Sequence, residues 1–290
     1  MALRNRISDL FSGGRLNVRK RFELLRKAIS GTMSKFYMAR DRKSDQIVGL
    51  KVLDREKTAA FMARFRGLDK PTEGAIAIEM DHPWIVKTLE HGLTTEGEQY
   101  LVMEFVEGAG INSLLVARDE ILDRRRVRFI RELAEAVAHV HEKGFLHRDV
   151  CPRNLLLTGD GENVKLIDFG LSVPATKPFM MPGNRTGTPN YMAPELVRRR
   201  STDLRIEVFS FGVTAYEICT FELPWIRGTD GMAAMTHDRP PIDIRKYDPD
   251  IDPVLADAIH ACIEPERRNR CGSMQHFLQM IRSVEDSEQP

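Results

Sequence analysis

Hydrophobic positions in the first hundred residues cluster in short runs, whereas those of the remainder fall into longer, helically spaced stripes. Between 22 and 106 the runs "FELLRKA", "KFYMARD", "QIVGLKVLD", "WIVKTLEHG" and "QYLVMEFV" read as strands, punctuated by the turn signals "ISGT" and "RKSDQ". One short helix is predicted around 71–81. From 111 onward the pattern changes. In "RRRVRFIRELAEAVAHVHEKG" the apolar residues Val127, Ile130, Leu133, Val137 and Val140 recur at helical spacing and stop at Gly144. Two short strands, "LLLTG" and "NVKLIDFG", follow, and helices are predicted over 190–200, 205–221, 253–264 and 272–284. The pattern therefore predicts an α+β fold with a small β-rich part and a larger helical part. A chain of 290 residues can bury a core of that size.

Charge narrows the partners. Lys and Arg number 43 against 42 Asp and Glu, a net charge of +1 that argues against a general nucleic-acid binder. The balance is uneven, because residues 1–27 carry eight Lys or Arg against Asp9 and Glu23. Residues 1–21 read as a basic extension able to contact acidic surfaces, with Leu3, Ile7, Leu10 and Phe11 on one face of a short helix. No apolar run approaches the ~18–20 residues of a membrane helix, and no signal-peptide segment is visible. Cys151, Cys219, Cys262 and Cys271 form no CxxC pair, so reduced thiols in a cytoplasmic protein are expected.

Candidate chemistry centres on "HRDVCPRNLLL", residues 147–157. Asp149 and Asn154, an acid and an amide five positions apart, suit a base for a hydroxyl and a ligand for a hard cation. Between them Cys151 stands where a phosphate-handling loop calls for a positive charge.

The order of a GxxxS-like loop, VGLK, a Glu nine residues before a His, HRDxxxxN, DFG and APE resembles the eukaryotic-type serine/threonine protein kinase domain over residues 22–285. The resemblance implies a bilobal fold, with an N-lobe over 22–103, a hinge over 104–108, a C-lobe over 109–285 and a C-terminal tail over 286–290. It implies ATP and Mg2+ as cofactors, and transfer of the γ-phosphate to Ser or Thr of a protein substrate. Lys51 would reach the α- and β-phosphates, held by Glu73, with Glu79 a poorer fit to the spacing. Asp168 and Asn154 would hold Mg2+, and Asp149 would take the hydroxyl proton. Met103 would back the adenine pocket, with Glu104 to Val106 offering backbone hydrogen bonds. In "GTPNYMAPE" Thr188 would touch the catalytic aspartate, and Glu195 would pair with Arg270 or its competitor Arg268. Arg148 would hold a phosphate on Thr176 or Thr186.

Several positions depart from the family pattern. Ile29, Gly31 and Ser34 stand at the three glycines of the phosphate loop, with Phe36 at its valine, so only Gly31 keeps the freedom to approach phosphate at positive φ. Pro71 is expected in the first turn of the 71–81 helix, and Gly74 costs that helix about 1 kcal/mol. Glu207 replaces the aspartate that caps the HRD loop. Arg153, four after Asp149, is the candidate for the charge missing at Cys151. Cys151 itself reads as a small buried filler, or alternatively as a thiolate favoured by nearby arginines. A pseudokinase scaffold, binding nucleotide or partners without turnover, is the alternative function. A small-molecule kinase and a membrane-surface adaptor are more distant ones.

Overall fold

The computed structural model describes residues 15–26, 28–183, 185–226 and 236–285. These divide into two compact units, the first ending at Asp81 and resuming over Val86–Val106, the second formed by His82–Ile85 and everything from Glu107.

The first unit is built on an antiparallel sheet. Its strands are β1 (Phe22–Leu24), β2 (Ile29–Ser30), β3 (Ser34–Asp41), β4 (Gln46–Leu53), β5 (Thr88–Leu93) and β6 (Gln99–Glu104). They run in the order β1-β3-β4-β6-β5, with β2 folded back on β3. Alternation places Ala39, Val48, Leu50, Tyr100 and Val102 in one buried cluster with Phe22. Helix α1 (Val18–Arg21) precedes the sheet, and α2 (Arg55–Met62) and α3 (Glu73–Ala77) follow β4.

The sequence pattern missed α2, whose "REKTAAFM" buries only Phe61 and so carries no apolar stripe. The helix expected over 71–81 shrinks to α3, because Thr72 is its N-cap, accepting from the Ala75 N–H at 3.2 Å. Pro71 thus precedes the cap instead of sitting in the first turn. Gly74 is not a defect: a Cβ there would lie 2.5 Å from the Cβ of His91, so only glycine lets α3 rest on β5. The run "WIVKTLEHG" is strand only from Thr88; Ile85 instead bridges Leu166 in the second unit.

Residues 15–21, expected to belong to a separate extension, are integrated into this unit. The Leu16 N–H donates to Leu93 O at 2.9 Å, and Arg21 pairs with Asp41 and Glu90. The predicted helix face at Leu3, Ile7, Leu10 and Phe11 lies outside the described residues, as does the tail over 286–290.

The second unit is organised around α5 (Ile121–Glu142), preceded by α4 (Ile111–Ala117). Val127, Ile130, Leu133, Val137 and Val140 are all buried along α5, and Gly144, at φ 78°, follows its end. Short antiparallel pairs then carry the loops: β7 (Phe145–Leu146) with β10 (Val173–Pro174), and β8 (Leu155–Leu157) with β9 (Val164–Leu166). Against α5 pack α7 (Arg205–Thr220) and α9 (Met274–Met280), with α8 (Pro253–Cys262) beside α7. The helix predicted over 190–200 is instead a 3-10 turn at Pro189–Tyr191 followed by α6 (Pro194–Val197), since Pro189 and Pro194 each begin a new turn.

Candidate functional site

In the first unit, strand pairing sets Lys51 opposite both Phe36 and Leu101. Its Nζ meets Glu73 Oε1 at 2.5 Å, and both residues are buried. Glu73 is the first residue of α3, where the helix dipole favours an anion. The ion pair at Lys51 is made by Glu73 and not by Glu79.

Next to this pair lies an exchange of volumes. Gly49 stands where the family motif V-A-I-K has alanine, and Phe36 where the phosphate loop has valine. A Cβ on Gly49 would lie 2.9 Å from the Phe36 ring and 2.9 Å from Met103. The larger residue on β3 fills the space the smaller one on β4 leaves. The loop before them is a hairpin in which the Gly31 N–H donates to Ser34 O at 2.8 Å. Gly31 does not adopt positive φ, and a Cβ there would make only ordinary contact, so its expected conformational role is absent. Ile29 projects from β2 with 71% of its surface exposed. Glu104 ends β6, its N–H donating to Lys87 O at 2.9 Å, and Val106 follows outside the ladder.

In the second unit Asp149 is held from every side. Its Oδ1 accepts from the Thr188 N–H at 2.9 Å and from the Thr188 hydroxyl at 2.6 Å. Asn154 Nδ2 donates to Oδ2 at 2.9 Å and to the Asp149 carbonyl at 2.8 Å, so these bonds engage the amide nitrogen and not its oxygen. Gly187 makes the approach of Thr188 feasible. At φ 132° a Cβ would lie 2.8 Å from the Arg148 carbonyl. Arg148 and Asp168 are themselves left-handed, at φ 72° and 68°, a conformation that non-glycine residues keep only where their surroundings enforce it.

The enforcement is visible. His147 donates from Nε2 to Ile167 O at 3.0 Å and accepts the Asp149 N–H on Nδ1 at 3.3 Å. Buried Phe169 packs edge-on against the His147 ring at 5.0 Å. Glu207 accepts the Arg148 N–H on Oε1 and meets His141 Nε2 at 2.8 Å through Oε2. Burial pushes the Glu207 carboxyl up, but His141, His147 and the Arg148 N–H outweigh it and hold the group below the ordinary glutamate range. His141, the second partner of this carboxylate, lies 66 positions away, and sequence reasoning missed it.

Cys151 and Arg153 converge on one atom. Cys151 Sγ lies 3.7 Å from Thr188 Oγ1, and Arg153 Nη2 donates to the same oxygen at 2.6 Å while standing 3.6 Å from Asp149 Oδ2. Cys151 is 1% exposed, and burial, with the Asp149 charge, pushes its thiol up to about 11. The filler expectation holds and the thiolate one does not. Arg270 resolves the other open choice: it grips Glu195 with two nitrogens, at 2.8 and 3.1 Å, so Arg268 is not the partner. Arg148 Nη2 donates to Phe179 O at 2.8 Å. Of the two candidate phosphoacceptors, Thr186 is buried, at 7% exposure, and Thr176 is exposed just before a 3-10 turn.

The chain belongs to the protein kinase domain family, whose model matches residues 22–280. It is 36% identical over 218 residues to ribosomal protein S6 kinase alpha-2 of Homo sapiens, covering 74% of this chain and 29% of that protein. It is 34% identical over 234 residues to putative ribosomal protein S6 kinase alpha-1 of Caenorhabditis elegans, covering 79% and 29%. Over 256 residues it is 30% identical to the serine/threonine-protein kinase AtPK2/AtPK19 of Arabidopsis thaliana, covering 85% of this chain and 51% of that one. The chain thus spans under a third of the S6 kinases and about half of the plant kinase. Among the described residues no helix is long and apolar enough to cross a membrane.

Proposed function

We propose that the chain is a cytoplasmic, ATP- and Mg2+-dependent serine/threonine protein kinase. The observation that carries this reading is the closure of Asp149 on Thr188: the acid that would take the acceptor proton is bonded to the peptide platform through both its N–H and its hydroxyl. The residues present fit the cofactors. A buried Lys51–Glu73 pair offers a fixed ammonium to phosphate, and the apolar wall of Phe36 and Met103 beside Gly49 suits a purine. Asn154 and Asp168 would hold Mg2+, which prefers few protein oxygens and completes its shell with phosphate and water. Bound together, ATP and the cation supply the transferable phosphoryl group and neutralise its charge.

The chain's own residues then do positioning and electrostatic work. Asp149, oriented by Asn154 and Thr188, aligns the acceptor hydroxyl and takes its proton. Arg153, reaching the atom that Cys151 also faces, supplies the cation that the second position after the aspartate lacks. Incorporation from labelled ATP into generic protein substrates, followed by phosphoamino-acid analysis, tests the reading. Phosphoserine or phosphothreonine is expected from the natural chain and none from Asp149→Asn. No incorporation despite Mg-ATP binding would favour the scaffold alternative.

A further inference from the structure

Many arginines of this chain are neutralised. Arg21, Arg118, Arg125, Arg126, Arg205 and Arg270 each pair with a carboxylate. The stretch from 171 to 200 is unbalanced in charge. It carries Lys177, Arg185, Arg198, Arg199 and Arg200 against one acid, Glu195, in a chain whose total charge is only +1. Glu195 is buried and committed to Arg270, and Arg198 to Asp238. Lys177, Arg185, Arg199 and Arg200 form no ion pair among the described residues, and all but half-buried Arg185 are exposed.

This uncompensated charge lies on the segments before and after Thr188. Thr188 is pinned to Asp149, and Arg185 is three residues before it, so its backbone lies within roughly 11 Å of that of Thr188, about one Debye length. The Thr202 N–H donates to Met180 O at 3.0 Å, which brings the Arg199–Arg200 stretch alongside the one holding Lys177. Leu196 lines a small cavity together with Asp149 and Thr188, placing the end of α6 at the same platform. Arg153, with 63% of its side chain exposed, adds a further cation at the acceptor itself.

We propose that this platform selects acceptor serines and threonines flanked by anionic side chains, either Asp and Glu or phosphorylated residues. The inference rests on the protein-kinase reading and names its substrate class. Several screened contacts act together here, and complementary charge governs both encounter and register. A peptide with flanking lysines or arginines would face like charge from these segments.

The test uses the full chain with Mg-ATP and four peptide sets built on one Ser/Thr acceptor, flanked by Asp/Glu, by phosphoserine, by Ala, or by Arg/Lys. The acidic sets should show a KM about tenfold below the alanine set, the effect shrinking as salt rises. Arg185→Glu combined with Arg200→Glu should raise KM for the acidic sets about tenfold while the alanine set keeps its kcat and KM. Arg185→Lys should retain the preference. The two acidic sets separate carboxylate from phosphate recognition. Equal use of all sets, or preference for the Arg/Lys set, overturns the substrate class while leaving the kinase reading intact. Failure to label any set or any generic protein overturns both.

Discussion

At the scale of single residues, the site works by substitution and compensation. Arg153 is the clearest case. Its Nη2 contacts Thr188 Oγ1, where the residue two after the aspartate also points, so the charge absent at Cys151 is present nearby. Arg153→Ala should lower kcat about 10²-fold, some 2.7 kcal/mol, with little change in the KM for ATP. Adding Cys151→Lys should restore part of the rate in the same steady-state assay; a silent Arg153→Ala would show that another cation serves the phosphate. Gly49 and Phe36 compensate in volume instead of charge. Gly49→Ala should raise the KM for ATP and lower the melting temperature, because the methyl would meet the Phe36 ring and Met103 at 2.9 Å. Phe36→Val on that background should relieve the clash. The double-mutant cycle checks it, since additive effects would mean that the two positions do not share space.

At the scale of elements, what was legible depended on how local the cause was. Helix α5 was readable because its apolar stripe is long and continuous, whereas α2 hides one buried phenylalanine among charged residues. The motif residues Lys51, Asp149, Asn154 and Asp168 were readable from their order along the chain. Their supports were not: His141 under Glu207, or Trp84 donating its indole N–H to Glu135 at 2.7 Å, depend on tertiary neighbours with no sequence signal. His237 belongs to this hidden class. It ties the segment after α7 to the platform, Nδ1 meeting Met192 O at 2.7 Å, with its ring against Trp225 at 4.4 Å. Burial lowers its pKa to about 4, the Met192 carbonyl and Asp238 opposing only in part. The imidazole is therefore neutral when folded, while the unfolded chain takes up the proton once the pH drops below the ordinary value of 6.5. Stability from this group is complete above that value and is lost as the pH falls toward 4, by about 3 kcal/mol. Urea midpoints at pH 7 and pH 4.5 should fall less for His237→Gln, which cannot titrate, than for the natural chain. Equal falls would show that His237 does not drive the loss.

At the scale of the whole molecule, the family match begins at residue 22, while the residues just before it pack on the first unit. Charge counting set residues 1–21 apart as a basic extension, yet Arg21 is a structural member of the first unit. Its Nε and Nη2 fork onto Asp41 at 3.1 and 2.8 Å, and its Nη1 reaches Glu90 Oε1 at 2.8 Å, the same oxygen that accepts the Tyr100 hydroxyl at 2.6 Å. One arginine thus joins α1, the end of β3, β5 and β6. The hydrogen bond from Arg21 is the main reason the Asp41 carboxyl is held below its usual range, burial opposing it. Arg21→Ala would leave Asp41, with 6% of its side chain exposed, as an unpaired charge inside the sheet's edge. The expected cost is about 3 kcal/mol, the amount typical of breaking one side of a buried pair. Arg21→Lys should recover only part of it, because an ammonium cannot serve both carboxylates in the same fork geometry. Chemical denaturation followed by tryptophan fluorescence and far-ultraviolet circular dichroism checks both variants. An unchanged midpoint for Arg21→Ala would return residues 15–21 to the peripheral role that charge alone assigned them.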